Sequence, residues 1–109
     1  MRVRLDTVLK DINDKPISDP QEPGAFTVER ALIGALLAQN PRENPDGAEK
    51  FKRWELARKM RGLTEVTVTV EEAALLKKLV GEAYSATVVG QVWTLLEQPE
   101  TERKLREAK

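Results

Sequence analysis

The chain contains no cysteine and no histidine. The first absence excludes disulfides, thiolate metal sites and a cysteine nucleophile. The second removes the commonest general base and the commonest transition-metal ligand. Long apolar runs are missing as well. The longest, ALIGALLA at 31–38, falls far short of the roughly 20 residues that a membrane-spanning helix needs. The N-terminus, MRVRLDTVLKD, alternates charged and apolar residues where a signal peptide would carry an apolar core, and a cytoplasmic location is expected. Net charge is missing too: 18 basic and 18 acidic residues cancel. With no long-range field, binding to nucleic acid or an anionic membrane would have to come from a local patch. The six glycines stand singly, so there is no glycine-rich phosphate loop. No serine sits in a G-x-S-x-G or S-x-x-K context. Neither enzymatic activity nor a cofactor, a metal or a small-molecule substrate is expected from such a chain.

What is present suits one soluble globular unit. The 109 residues are 40% apolar and 33% charged, enough for a single modest core. Val3, Leu5, Thr7 and Leu9 fall on one parity, the period of a half-buried strand. Turn formers follow in DINDKP at 11–16, and residues 15–18 can return as a second strand, predicting an N-terminal hairpin. Two prolines and a glycine make SDPQEPG at 18–24 a loop.

Four helices are predicted beyond it. Thr27 can cap the first and Glu29 suits its first turn, while Phe26 can staple onto Ala31. From 31 to 38 that helix is apolar on every side apart from Gly34, which predicts a central, buried position. After the loop QNPRENPDG at 39–47, Asp46 and Glu49 have the spacing of a capping box, and Gly62 is placed to end the second helix after Arg61. The alternation in TEVTVTV predicts a short strand from 64 to 70. Thr69 and Glu72 form a full capping box for the third helix, which carries Ala73, Leu76, Leu79, Val80 and Ala83 on one stripe. Ser85 can end that helix and cap the last, which Gln98-Pro99 stops. Residues 1–98 are thus expected to form a single α+β domain. The charged tail 99–109, with one leucine among many charges, is expected to fray.

Two surfaces are candidates for function. The segment KFKRWELARKMR at 50–61 supplies Lys50, Lys52, Arg53, Arg58, Lys59 and Arg61 as a possible nucleic-acid patch. Phe51, Trp54, Ala57 and Met60 step three residues at a time along it, which directs the aromatics to the core and leaves the charges as a solvated surface. No helix-turn-helix, zinc or RNA-recognition signature supports the nucleic-acid alternative. The last helix has two apolar faces: Val88, Val92 and Leu95 on one, and Val89, Trp93 and Leu96 on the other. The second face is a candidate protein interface, with the tryptophan as anchor. DINDKP has lysine and proline where a calcium loop needs a ligand and a glycine, so it reads as a turn. Glu71 and Glu72 complement a helix N-terminus and need no catalytic role.

The stretches RWELARKM (53–60), VTVEEAALLKKLVGEAY (68–84) and VVGQVWTLLE (88–97) resemble a group of small proteins encoded by tailed bacteriophages and prophages. The hairpin and FTVERALIGALL fit the same layout more loosely, and Ala86 stands where that group leads one to expect a proline. The resemblance implies an assembly accessory or a modulator of host proteins, binding a phage or host protein, with self-association as an oligomer the further expectation. It carries over no catalytic or binding residue.

Overall fold

A computed structural model describes residues 2–19 and 23–97. The elements are β1 (Arg2–Arg4), α1 (Val28–Leu37), α2 (Gly47–Met60), β2 (Glu65–Thr67), α3 (Val70–Ala83) and α4 (Ala86–Glu97). The alternation at the N-terminus does what its period requires: Val3, Leu5 and Leu9 are buried while Arg2, Arg4 and Asp6 stay outside. The regular ladder, however, joins segments sixty residues apart. β1 pairs antiparallel with β2, Val3 opposite Val66, and both valines enter the core. Arg2 and Glu65 pair across the strands on the outer face, and the Leu5 N–H donates to the Thr64 carbonyl at 2.8 Å.

The expected chain reversal at DINDKP is present as isolated bridges. The Asp11 N–H donates to the Lys15 carbonyl at 2.8 Å and the Ile17 N–H to the Leu9 carbonyl at 2.9 Å, with Lys10 opposite Pro16. A third pass follows, where the Phe26 N–H donates to Ile17 and the Leu9 N–H to Phe26. Longer strands do not develop here because Pro16 has no N–H to give a ladder and Asp14 turns the chain with φ 63.

Helix starts follow the local sequence closely. The Thr27 hydroxyl accepts from the Arg30 N–H at 3.3 Å, and an Asp46 carboxylate oxygen accepts from the Glu49 N–H at 2.8 Å. At α3 the box is complete, with Thr69 and Glu72 each accepting from the other's backbone N–H. Gly62 takes the positive φ of 81 that ends a helix with least strain.

The four helices and the two-stranded sheet surround one continuous core, an α+β domain. α1 packs against α2 and α3, and α3 against α4. α4 also reaches the N-terminal segment, where the Gln91 side chain accepts from the Lys10 N–H and donates to its carbonyl at 2.9 and 2.7 Å. Two expectations need correction. α1 is not enclosed: Val28, Ala31, Leu32, Ala35 and Leu36 are buried, but Leu37 faces outward, and Gly34 keeps an exposed backbone beneath the Tyr84 hydroxyl. α4 turns Leu96, not Leu95, fully into the core beside Val88 and Val92. The tail at 99–109 lies outside the described residues. Among the described residues, no helix is long and apolar enough to cross a membrane.

Candidate functional site

The rotation of α2 about its axis decides which residues are available. Residues three apart on a helix fall back by roughly 60° per step, so a stripe of four spans about half a turn of surface. Only one end of the Phe51–Trp54–Ala57–Met60 stripe can therefore face the core. Ala57 and Met60 do, joined by Leu56 and by Arg53. Phe51 is 56% exposed and Trp54 45%, so the aromatics expected inside lie outside. Their rings lean on each other with centroids 5.9 Å apart, and the Arg58 guanidinium lies 4.9 Å from the Trp54 ring centroid.

The six basic residues of this helix separate into three roles. Arg53 is withdrawn from solvent, only 7% exposed. It donates to Glu43 at 2.5 Å and to Glu49 at 3.3 Å, and Lys78 approaches the same Glu43 at 3.7 Å. This cluster fastens the 39–47 loop to α2. The hydrogen bond from Arg53 holds the Glu43 carboxyl below its ordinary pKa, and Glu43 in turn pushes the Arg53 guanidinium further up. Lys59 is occupied by the Thr67 carbonyl at 3.0 Å and shares its side of the helix with Lys52 and Glu55. Lys50, Arg58 and Arg61 remain on the side of Trp54 and Phe51, exposed and in no salt bridge among the described residues. The sequence-predicted patch is therefore halved, and its remaining half carries the aromatics.

Beside these residues runs a groove of about 790 Å³ between α1 and α2, lined by Ile33, Gly34, Leu37, Trp54, Ala57, Arg58, Arg61 and Tyr84 among others. Leu37, 54% exposed, also borders a second concavity of about 730 Å³ that reaches Lys50. Tyr84 is fixed there by three contacts. Its hydroxyl donates to the Ala31 carbonyl at 2.8 Å, and its ring meets Phe26 edge to face at 5.6 Å. Its oxygen also occupies the space over Gly34, where a Cβ would lie only 2.6 Å away. Burial, and secondarily the Asp19 carboxylate, pushes the Tyr84 pKa above 10.0, so the hydroxyl stays neutral and donates. The acids bordering the groove are engaged: Asp19 accepts from Arg30 at 3.0 Å, and Glu29 accepts from the Gly62 N–H at 3.2 Å.

The surface expected on α4 is partly used inside the molecule. Leu96 is 1% exposed, and Val89 and Trp93 are half-buried against the core. The Trp93 indole N–H donates to the Lys77 carbonyl at 3.0 Å, and Lys77 Nζ lies 4.9 Å from the ring centroid while pairing with Glu97. The indole also covers Gly81, where a Cβ would meet it at 3.2 Å. Trp93 thus lies in the α3–α4 seam and Leu96 in the core, while Val89 and Trp93 keep part of their surface. Sequence reasoning missed the contributions of Ile33, Leu37 and Tyr84. The signal for them was Gly34, a small residue in an apolar helix, which marks a close approach by a neighbour.

Among the described residues there is no group of three or more acidic side chains able to hold a metal ion. Family models, curated proteins and solved structures all give no match to this chain.

Proposed function

We propose that this protein is a binding module whose partner, another protein, docks on the α1–α2 face. Leu37, Phe51 and Trp54 serve as its apolar anchors. The observation that carries this reading is the outward placement of two neighbouring aromatics beside a groove, on a helix whose other large apolar side chains are buried. Aromatic residues and arginine are the side chains most enriched where protein interfaces gain their binding energy. Removing what these three residues leave exposed takes on the order of 300 Å² from water, about 7 kcal/mol at about 25 cal/mol per Å². Association itself costs at least about 4 kcal/mol. The apolar patch therefore gives weak binding alone, and the rim of Lys50, Arg58 and Arg61 must add to it. The role stays the one that the resemblance to phage proteins implies, an assembly accessory or a modulator of a host protein. Its surface moves from α4 to α1–α2.

A second reading has one observation in its favour: aromatics and basic residues share an exposed side of α2, the arrangement that single-stranded nucleic acid uses for stacking and phosphate contact. Photo-crosslinking separates the two. A crosslinker placed at position 37 or 54, irradiated in bacterial extract, is expected to give discrete protein adducts that the same group at position 55 does not. Nuclease-sensitive adducts would assign the face to nucleic acid. Equal adducts from all three positions would refute a specific face.

A further inference from the structure

The cations around the groove say what the partner carries. Lys50, Arg58 and Arg61 stand on one side of α2 with no salt bridge among the described residues; the acids lining the groove, Asp19 and Glu29, are engaged by Arg30 and the Gly62 N–H, and Glu43, which borders the concavity beside Lys50, is engaged by Arg53. The apolar part of the groove is formed by Ile33, Leu37 and Trp54, with Arg58 and Arg61 at its side. Resting on the reading of this face as a protein-docking surface, we infer that its occupant is an acidic peptide segment. It places one or two large apolar side chains in the groove and carboxylates against Lys50, Arg58 and Arg61.

Charge excludes the nearer alternatives. A second copy meeting this face symmetrically would set Lys50, Arg58 and Arg61 against their own duplicates, a like-charge contact that disfavours pairing. The chain's own tail, ETERKLREAK at 100–109, has three acids against four bases and offers no acidic complement. Nucleic acid would match the charge but has no aliphatic group to fill the space between Ile33 and Leu37. One face of Trp54 is also already covered by Arg58.

The test is a selection from a displayed library of random 16-residue peptides on the 109-residue chain at low salt, with counter-selection on Trp54→Ala. Trp54 is exposed, so this variant should keep its fold, which circular dichroism checks. Recovered peptides are expected to carry aspartate and glutamate well above the starting library, together with leucine or aromatic anchors. Arg58→Glu with Arg61→Glu should weaken them at least tenfold and turn the preference toward basic peptides. Trp54-dependent peptides with no acidic excess would overturn this inference and leave the docking groove standing. Peptides that bind Trp54→Ala equally well, or no peptides at all, would remove both. A labelled 20-nucleotide single strand that binds more tightly than the best peptide, and loses binding in Trp54→Ala, would overturn the inference in favour of nucleic acid.

Discussion

The chain has two tryptophans, and the fold treats them in opposite ways. Trp93 leans into the α3–α4 seam, its indole N–H satisfied by the Lys77 carbonyl and its ring over Gly81. Trp54 stands on α2 with its flank in solvent, touching only Phe51 and Arg58 among the ring contacts described. Both lie in amphipathic stretches, and both could have been core or anchor by composition. What separates them is whether a neighbouring helix offers a glycine to pack on and a carbonyl to bond. α3 offers both to Trp93. A large side chain whose polar atom and ring are both answered internally has little left for a partner, whereas Trp54 keeps nearly half its surface.

The widest separation between the two is expected on truncation. Trp93→Ala should destabilise the fold by about 3 kcal/mol, chiefly through the packing lost in the α3–α4 seam. Trp54→Ala should stay within about 0.5 kcal/mol of the parent while abolishing peptide binding. Urea unfolding checks the first number and anisotropy the second. A similar contrast holds for two arginines of α2. Arg53→Ala removes the main partner of Glu43 and Glu49, leaving Lys78 beside Glu43, and should cost about 2 kcal/mol, below the usual figure for a buried pair because both acids are partly exposed. Arg58→Ala should leave stability within about 0.5 kcal/mol.

A smaller effect, with a reversal of sign, is expected at the groove. Gly34→Ala should destabilise by about 1 kcal/mol because its Cβ would strike the Tyr84 hydroxyl and break the bond to Ala31. In a Tyr84→Phe background the obstruction is gone, since the next ring carbon lies 3.9 Å from that Cβ. There the same substitution should stabilise by up to about 1 kcal/mol through helix propensity. Additive effects would contradict the contact.

The mildest expectation concerns pH. Glu43 is held below its ordinary 4.5 by Arg53, so its contribution is present above that value and fades as pH falls through the lower folded one. Tyr84 is raised above 10.0, so its contribution is present below that value and fades as pH rises through the higher folded one. Melting temperatures across pH should show a shallower acid limb in Arg53→Met and a shallower alkaline limb in Tyr84→Phe.

Caps were the most legible feature of the sequence. Thr27, Asp46, the Thr69–Glu72 box and Gly62 all act where the local pattern puts them, because a cap depends on residues within three or four positions. The α+β class and the four helices followed from the same local grammar. The partner of β1 was not legible, since pairing Val3 with Val66 depends on how the intervening helices close the loop. Nor was the rotation of α2. Nothing local says that Glu43, in a proline-rich loop, turns Arg53 inward and leaves Phe51 and Trp54 outside. The candidate site was half visible: its basic residues were marked, but the aromatics beside them were assigned to the core.

The two tryptophans also supply the most direct measurement. In a ¹H–¹⁵N spectrum each gives one indole N–H resonance, and the acidic peptide recovered by selection can be titrated against both. Docking in the α1–α2 groove predicts that the Trp54 indole and the amides of Ile33, Leu37 and Arg58 shift while the Trp93 indole stays in place. A moving Trp93 indole with a still Trp54 would return the interface to α4 and contradict the groove.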